Sequence, residues 1–156
     1  SFVDIRTCII FVNTFSIKHD NLPEDTNIKV NEIFFETILN LLKHNVSLVI
    51  EAAFQHKLWS NIIPKIIQVA QPFIIICNID SKNSATRHLE RGLKDPNREF
   101  FHGDKRVSFY RETGKVLPAS TYDAPNFDLP KMEVSTQNGY VPKINEIIKF
   151  IKAKSN

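Results

Sequence analysis

Phe73-Ile74-Ile75-Ile76-Cys77-Asn78 is a continuous apolar run that ends on a polar amide. It does not alternate, so it predicts a strand buried on both faces, as in a parallel sheet. On its carboxyl side Ser81 can cap a helix running to Leu93, with Gly92 near the end. On its amino side residues 57–69 suit a helix broken or kinked at Pro64. Before that, Ser47-Leu48-Val49-Ile50 is a short apolar strand ending in the acid Glu51. Residues 28–44 form an amphipathic pattern with Ile33, Phe34, Ile38, Leu41 and Leu42 on one side and a stop at His44-Asn45. Thr7-Cys8-Ile9-Ile10-Phe11-Val12-Asn13 is another continuous run, followed by the shorter Phe15-Ser16-Ile17.

Toward the carboxyl end, residues 94–128 are loop-like, rich in charge, Pro, Asn and Gly. Lys131-Met132-Glu133-Val134-Ser135 is a last, partly polar strand. Asn138-Gly139 makes a turn, and Pro142 opens a closing helix with Ile144, Ile147, Ile148 and Ile151 at helical spacing. Strands alternating with helices define the α/β class: a three-layer sandwich with a mainly parallel sheet. The strands at 7–13, 47–50, 73–78 and 131–135 are expected to be neighbours in it.

Composition sets outer limits. The 156 residues suit one domain spanning 1–156. With 42% hydrophobic and 24% charged residues the chain is ordinary for a globular protein. No stretch approaches the roughly 20 apolar residues that span a bilayer, and the start, Ser1-Phe2-Val3-Asp4, lacks the basic region of a signal peptide. No membrane partner is expected. The net charge of +3 is too weak to argue for nucleic acid, and the basic residues are spread out except between Arg87 and Arg111. Cys8 and Cys77 lie in apolar runs with no zinc-like spacing, so no metal site is expected. Two buried free thiols suit a reducing cytoplasm.

Ligands of open parallel sheets bind beyond the carboxyl ends of the strands. Asn13, Asp20 and Glu51 fall there. Any one of them could simply mark the chain reaching water; three on one edge favour a site. Arg87 and Arg91, four apart, share a helix face, and Arg98 follows in Asp95-Pro96-Asn97-Arg98. Their planar donor forks suit polyphosphate oxygens. The competing reading is a solvated face with Glu90 and Glu99 as ion-pair partners.

Several of these segments resemble one family. Ser47-Leu48-Val49-Ile50-Glu51-Ala52-Ala53-Phe54 with Leu58-Trp59 is similar to the third strand of the P-loop small-molecule kinases (AAA-family ATPases) of the zeta toxin and chloramphenicol phosphotransferase type. The run ending at Asn78, followed by Arg87 and Arg91, looks like their fourth strand and lid helix. Arg98-Glu99-Phe100-Phe101-His102-Gly103-Asp104 and the stretch from Leu129-Pro130 to Gly139-Tyr140 resemble further family segments in the same order. Ser16-Ile17-Lys18-His19-Asp20-Asn21 is similar to the segment whose Asp orients or deprotonates the acceptor hydroxyl.

The resemblance implies a P-loop NTPase fold of the nucleotide kinase type and transfer of the ATP γ-phosphate to a small-molecule hydroxyl, with ATP and Mg²⁺ as cofactors. By the same resemblance Asp20 is the base, and Glu51 serves metal-water or substrate contacts. Arg87, Arg91 and Arg98 bind phosphate, and 87–128 is a lid and irregular region. Ala53 stands where the family usually has Asn, which weakens a substrate contact there.

A larger departure concerns the phosphate loop. The P-loop pattern G-x-x-x-x-G-K-[ST] cradles phosphates with backbone amides. None of the four glycines, Gly92, Gly103, Gly114 and Gly139, precedes Lys-Ser or Lys-Thr. The loop would follow the first strand, where Asn13 meets Thr14-Phe15 directly, and a parallel crossover needs about a dozen residues. The implied kinase activity is therefore expected to be impaired. The alternatives are a non-catalytic nucleotide- or protein-binding domain, or a polynucleotide 5′-kinase-like enzyme, which would want a basic groove.

Overall fold

A computed structural model describes residues 2–5, 23–52, 54–119 and 122–154. Among them lie four strands, β1 (Phe2–Ile5), β2 (Ser47–Ile50), β3 (Ile74–Asn78) and β4 (Lys131–Ser135). The helices are α1 (Thr26–Lys43), α2 (His56–Trp59), α3 (Ile63–Ile67), α4 (Ser81–Lys94), α5 (Arg98–His102), α6 (Arg106–Thr113) and α7 (Ile144–Lys154). The class is mixed α/β with parallel strand pairing. The chain divides into two compact units, the boundary falling inside α4 after Asn83.

The first unit holds residues 1–52 and 84–119. β1 and β2 pair in parallel, Phe2 opposite Ser47 and Ile5 opposite Ile50. The apolar run at 7–13 and the segment at 15–17 lie outside the described residues; the strand at Phe2–Ile5 was not expected, because Asp4 interrupts its short apolar pattern. α1 packs on β2. Its period puts Phe34 and Ile38, four apart, in the core, with Leu41 and Leu42 half-buried, while Ile33 stays 50% exposed. The buried stripe is thus narrower than the sequence pattern. The predicted stop holds: the His44 amide reaches back to the carbonyls of Asn40 and Leu41, the Asn45 amide to that of Leu42, and Asn45 turns left-handed at φ 59°.

Residues 94–128 contain two helices where a loop was expected, and this is a correction. Short length and dense charge hid α5 and α6 from a periodicity argument. Each ends on a glycine in the left-handed conformation, Gly103 at φ 61° and Gly114 at φ 69°, which any Cβ would strain. α6 packs on α4 at Gly92, which is buried inside α4 rather than ending it. A Cβ added to Gly92 would lie 2.7 Å from Cγ2 of Val107. Ala85, Leu89 and Val107 are the other buried residues along these helices.

The second unit holds residues 53–83 and 120–156. β3 and β4 pair in parallel from Ile74 opposite Lys131 to Asn78 opposite Ser135. Pro64 does break the predicted helix: α2 and α3 are separate, with Pro64 in the first turn of α3, where its missing N–H has no intrahelical partner to lose. Trp59, Ile62, Ile63 and Ile66 from this segment are buried, as are Ile76, Val134 and Ile147. The rings of Phe54 and Trp59 lie 4.3 Å apart. Phe73 meets Phe150 of α7 edge-on at 6.0 Å. Residues 123–127 are stitched to α2: Asp123 accepts from the amides of His56 and Lys57, and His56 stacks on Phe127 at 4.6 Å. Gly139, at φ 92°, forms the predicted turn, and a bridge between Ser135 and Val141 closes it.

Burial on both strand faces was expected and is not found. In β2, Ser47 and Val49 are exposed while Leu48 and Ile50 are half-buried. In β3, Ile76 is buried but Cys77 is exposed, contrary to the expected buried thiol. Each described sheet has two strands, too few to hide both faces of either. No helix of the described residues is long and apolar enough to cross a membrane.

Candidate anion-binding site

Helix α4 carries the positively charged candidates. Asp80 caps it: its carboxylate accepts from the Asn83 amide at 2.8 Å and from the Asn83 side chain at 2.7 Å. Ser81, the expected cap, is instead the first helical residue. The Gln137 side-chain amide also donates to Asp80. These bonds, that from the Asn83 amide foremost and then Gln137, hold the Asp80 carboxyl below its ordinary range.

From this start the 3.6-residue period sets Arg87, Glu90, Arg91 and Lys94 around one open depression of about 500 Å³. Arg87 and Arg91 do share a face, as their spacing predicted, and both are exposed. Glu90 lines the same depression, so the face mixes three cations with one acid. Arg91 is oriented by its own helix. Its Nε donates to the Arg87 carbonyl at 3.3 Å, and one Nη lies 3.2 Å from Nδ1 of His88. Burial lowers the His88 pKa, and the nearby charges of Arg91, Arg106 and Arg98 lower it further, with Asp104 opposing.

Arg98 sits differently from what a phosphate ligand requires. Its Nε donates to Asp104 at 3.2 Å, and Arg106 donates to the other oxygen of Asp104 at 2.8 Å. The Asp104 side chain is only 7% exposed. Burial pushes its pKa up, but the hydrogen bond and charge of Arg106, joined by Arg98, outweigh this and leave it lowered. Glu99, the expected partner of an arginine, instead faces Ser108, whose Oγ lies 2.7 and 2.6 Å from the two carboxylate oxygens. Sequence reasoning missed Arg106 as a functional candidate. The signal available was charge concentration: residues 87–111 hold seven Lys or Arg and four Asp or Glu, a surplus equal to the +3 of the whole chain.

Glu51 directly follows β2, at the carboxyl edge where the sequence placed it, and is exposed. It does not line the α4 depression. Asp20, the candidate base, and Asn13 lie outside the described residues. In the second unit, the carboxyl ends of β3 and β4 carry another polar group. Asn78 donates to Glu133 at 3.1 Å, and its carbonyl accepts from the Thr136 amide at 2.8 Å. These contacts close the strand ends on themselves. Among the described residues no group of three or more His, Cys, Asp or Glu could hold a metal ion. Comparisons with protein-family models, with curated proteins and with solved structures find no match to this chain.

Proposed function

We propose that this chain is the body of an ATP-dependent phosphotransferase of the P-loop, nucleotide kinase-like type, acting on a small-molecule hydroxyl in the cytoplasm and impaired for want of its glycine-rich loop. The observation that carries the reading is the depression on α4 lined by Arg87, Arg91 and Lys94, three cations beside the one acid Glu90. Phosphoryl transfer is achieved mainly by positioning and by neutralising phosphate oxygens, and convergent guanidinium groups do the latter. Glu51, at the end of a parallel strand, would be the carboxylate that meets metal-bound water. Mg²⁺ needs only one or two such carboxylates beside the phosphates themselves. Asp20 is the residue assigned to orient the acceptor hydroxyl.

A second reading, a non-catalytic nucleotide- or protein-binding domain, is favoured by one observation: Arg98 is engaged by Asp104 rather than offered to a ligand. Calorimetric titration with ATP, with and without Mg²⁺, is the test of binding. Binding that falls roughly tenfold or more in Arg87→Ala/Arg91→Ala supports the phosphate face. Binding indifferent to that double substitution removes it. Turnover in a panel of hydroxyl compounds then separates the two readings. Losing one preorganised oxyanion donor costs roughly a hundred- to a thousandfold in rate, so the chain as given should be very slow. A version with a glycine-rich loop inserted after Asn13 should gain, and no gain would leave the binding reading alone.

A further inference from the structure

The connection between α5 and α6 is built around the carboxylate of Asp104. Asp104 is nearly enclosed, and each of its oxygens meets a different guanidinium. Arg98 reaches it through Nε alone, and Arg106 through one Nη and its backbone amide. Neither contact is the two-pronged pairing that arginine and carboxylate prefer. Among the described residues, Nε of Arg106 is a buried donor with no acceptor within hydrogen-bonding distance. A buried unsatisfied donor carries a cost of about 1–3 kcal/mol. Glu99, the other acid of this turn, faces Ser108, so among the described contacts Asp104 alone meets the two guanidinium groups. The charges of Arg91, Arg106 and Arg98 act on His88 of α4, with Asp104 opposing, so the pair lies near that helix.

We propose that Asp104 is a built-in competitor for a phosphate group: it occupies the Arg98–Arg106 pair, and a polyphosphate displaces it. A phosphate offers more acceptor oxygens than a carboxylate and can satisfy both forks, including the stranded Nε. The inference rests on the reading of this region as a phosphate-binding face and adds to it a residue that restrains binding. The incoming group can be a nucleotide phosphate or a free one.

The test is calorimetric titration with inorganic tripolyphosphate, with inorganic phosphate and ATP as parallel arms that distinguish those two sources. Asp104→Asn should bind tripolyphosphate roughly tenfold more tightly than the unaltered chain, as expected for freeing a charge-assisted pair. Asp95→Asn, at an exposed acid between α4 and α5, removes the same charge and should gain far less. The gain should vanish when Arg106→Gln is added to Asp104→Asn. Equal affinity in Asp104→Asn and the unaltered chain, or an equal gain in Asp95→Asn, overturns the proposal. If Asp104→Asn does not fold, the unaltered chain still decides. The NMR signals of the Arg98 and Arg106 Nε–H groups should shift on adding tripolyphosphate, and signals that stay put overturn it. Tripolyphosphate binding that is lost in Arg87→Ala/Arg91→Ala yet indifferent to Asp104 keeps the phosphate face and removes only the competitor.

Discussion

The two units solve the problem of stability with different materials. The second buries Trp59, Ile62, Ile63, Ile66, Ile76, Val134 and Ile147, and its described polar contacts are exposed ties and caps such as Asn78 to Glu133. The first, along α4 to α6, buries few large apolar side chains and encloses a carboxylate between two guanidinium groups. Area removed from water stabilises without regard to direction. An enclosed ion pair must offset its own desolvation and often contributes little net stability. The difference teaches that the two units respond to different changes: the second to loss of apolar volume, the first to loss of charge at Asp104.

That contrast can be broken at its strongest point first. Trp59 is 2% exposed and packs on Phe54, so Trp59→Ala should cost roughly 3–5 kcal/mol. Urea unfolding followed by far-ultraviolet circular dichroism measures it. A loss below about 1 kcal/mol would mean that the second unit is not held by this core.

Gly92 probes the first unit. Gly92→Ala brings a methyl against Val107, an overpacking cost of about 1–3 kcal/mol, set against about 1 kcal/mol of helix propensity. The 8% exposure of Val107 leaves its methyl little room to move, so a net loss is expected. Hydrogen exchange at Leu89 and Val107 should report faster opening. Adding Val107→Ala should recover part of the loss, and strict additivity of the two changes would contradict the contact.

The smallest effect concerns pH. The His88 pKa lies below its ordinary 6.5 in the folded protein, so the unfolded chain binds protons first as pH falls. Stability from this source is therefore complete above pH 6.5 and is lost as pH falls through the folded value. Asp104 is also lowered, from 3.8, and its contribution is present above that value and lost only in stronger acid. Chemical unfolding between about pH 7.5 and about pH 5 should show a decline that His88→Gln flattens. An unchanged slope in that variant would clear His88 of the role.

Much of the fold was legible because apolar patterns are local. The span of β4, the start of α4, the end of α1 at His44 and the break at Pro64 all follow from residues near one another. What stayed hidden depends on partners distant in sequence or on an environment. The exposure of Cys77 and Val49 depends on how many strands flank them, which an apolar run does not encode. At the site, the shared face of Arg87 and Arg91 follows from helix geometry. The capture of Arg98 by Asp104, six residues away across a helix end, has no periodic signature. Asp80 rather than Ser81 at the cap shows the ordinary one-residue slack of such assignments.

The parallel register of β3 and β4 also has a consequence in time. Asn78 and Glu133, which meet at the carboxyl end of the pair, stand 55 residues apart in the chain, and β1 waits about 45 residues for β2. Helices α1 and α4 can form as soon as their own turns exist, whereas each strand must find a remote partner after a long loop has closed. During synthesis the Ile74–Asn78 strand is therefore complete long before β4 arrives to cover its edge. That interval, rather than any feature of the finished molecule, is when this chain is most exposed to pairing with the wrong strand.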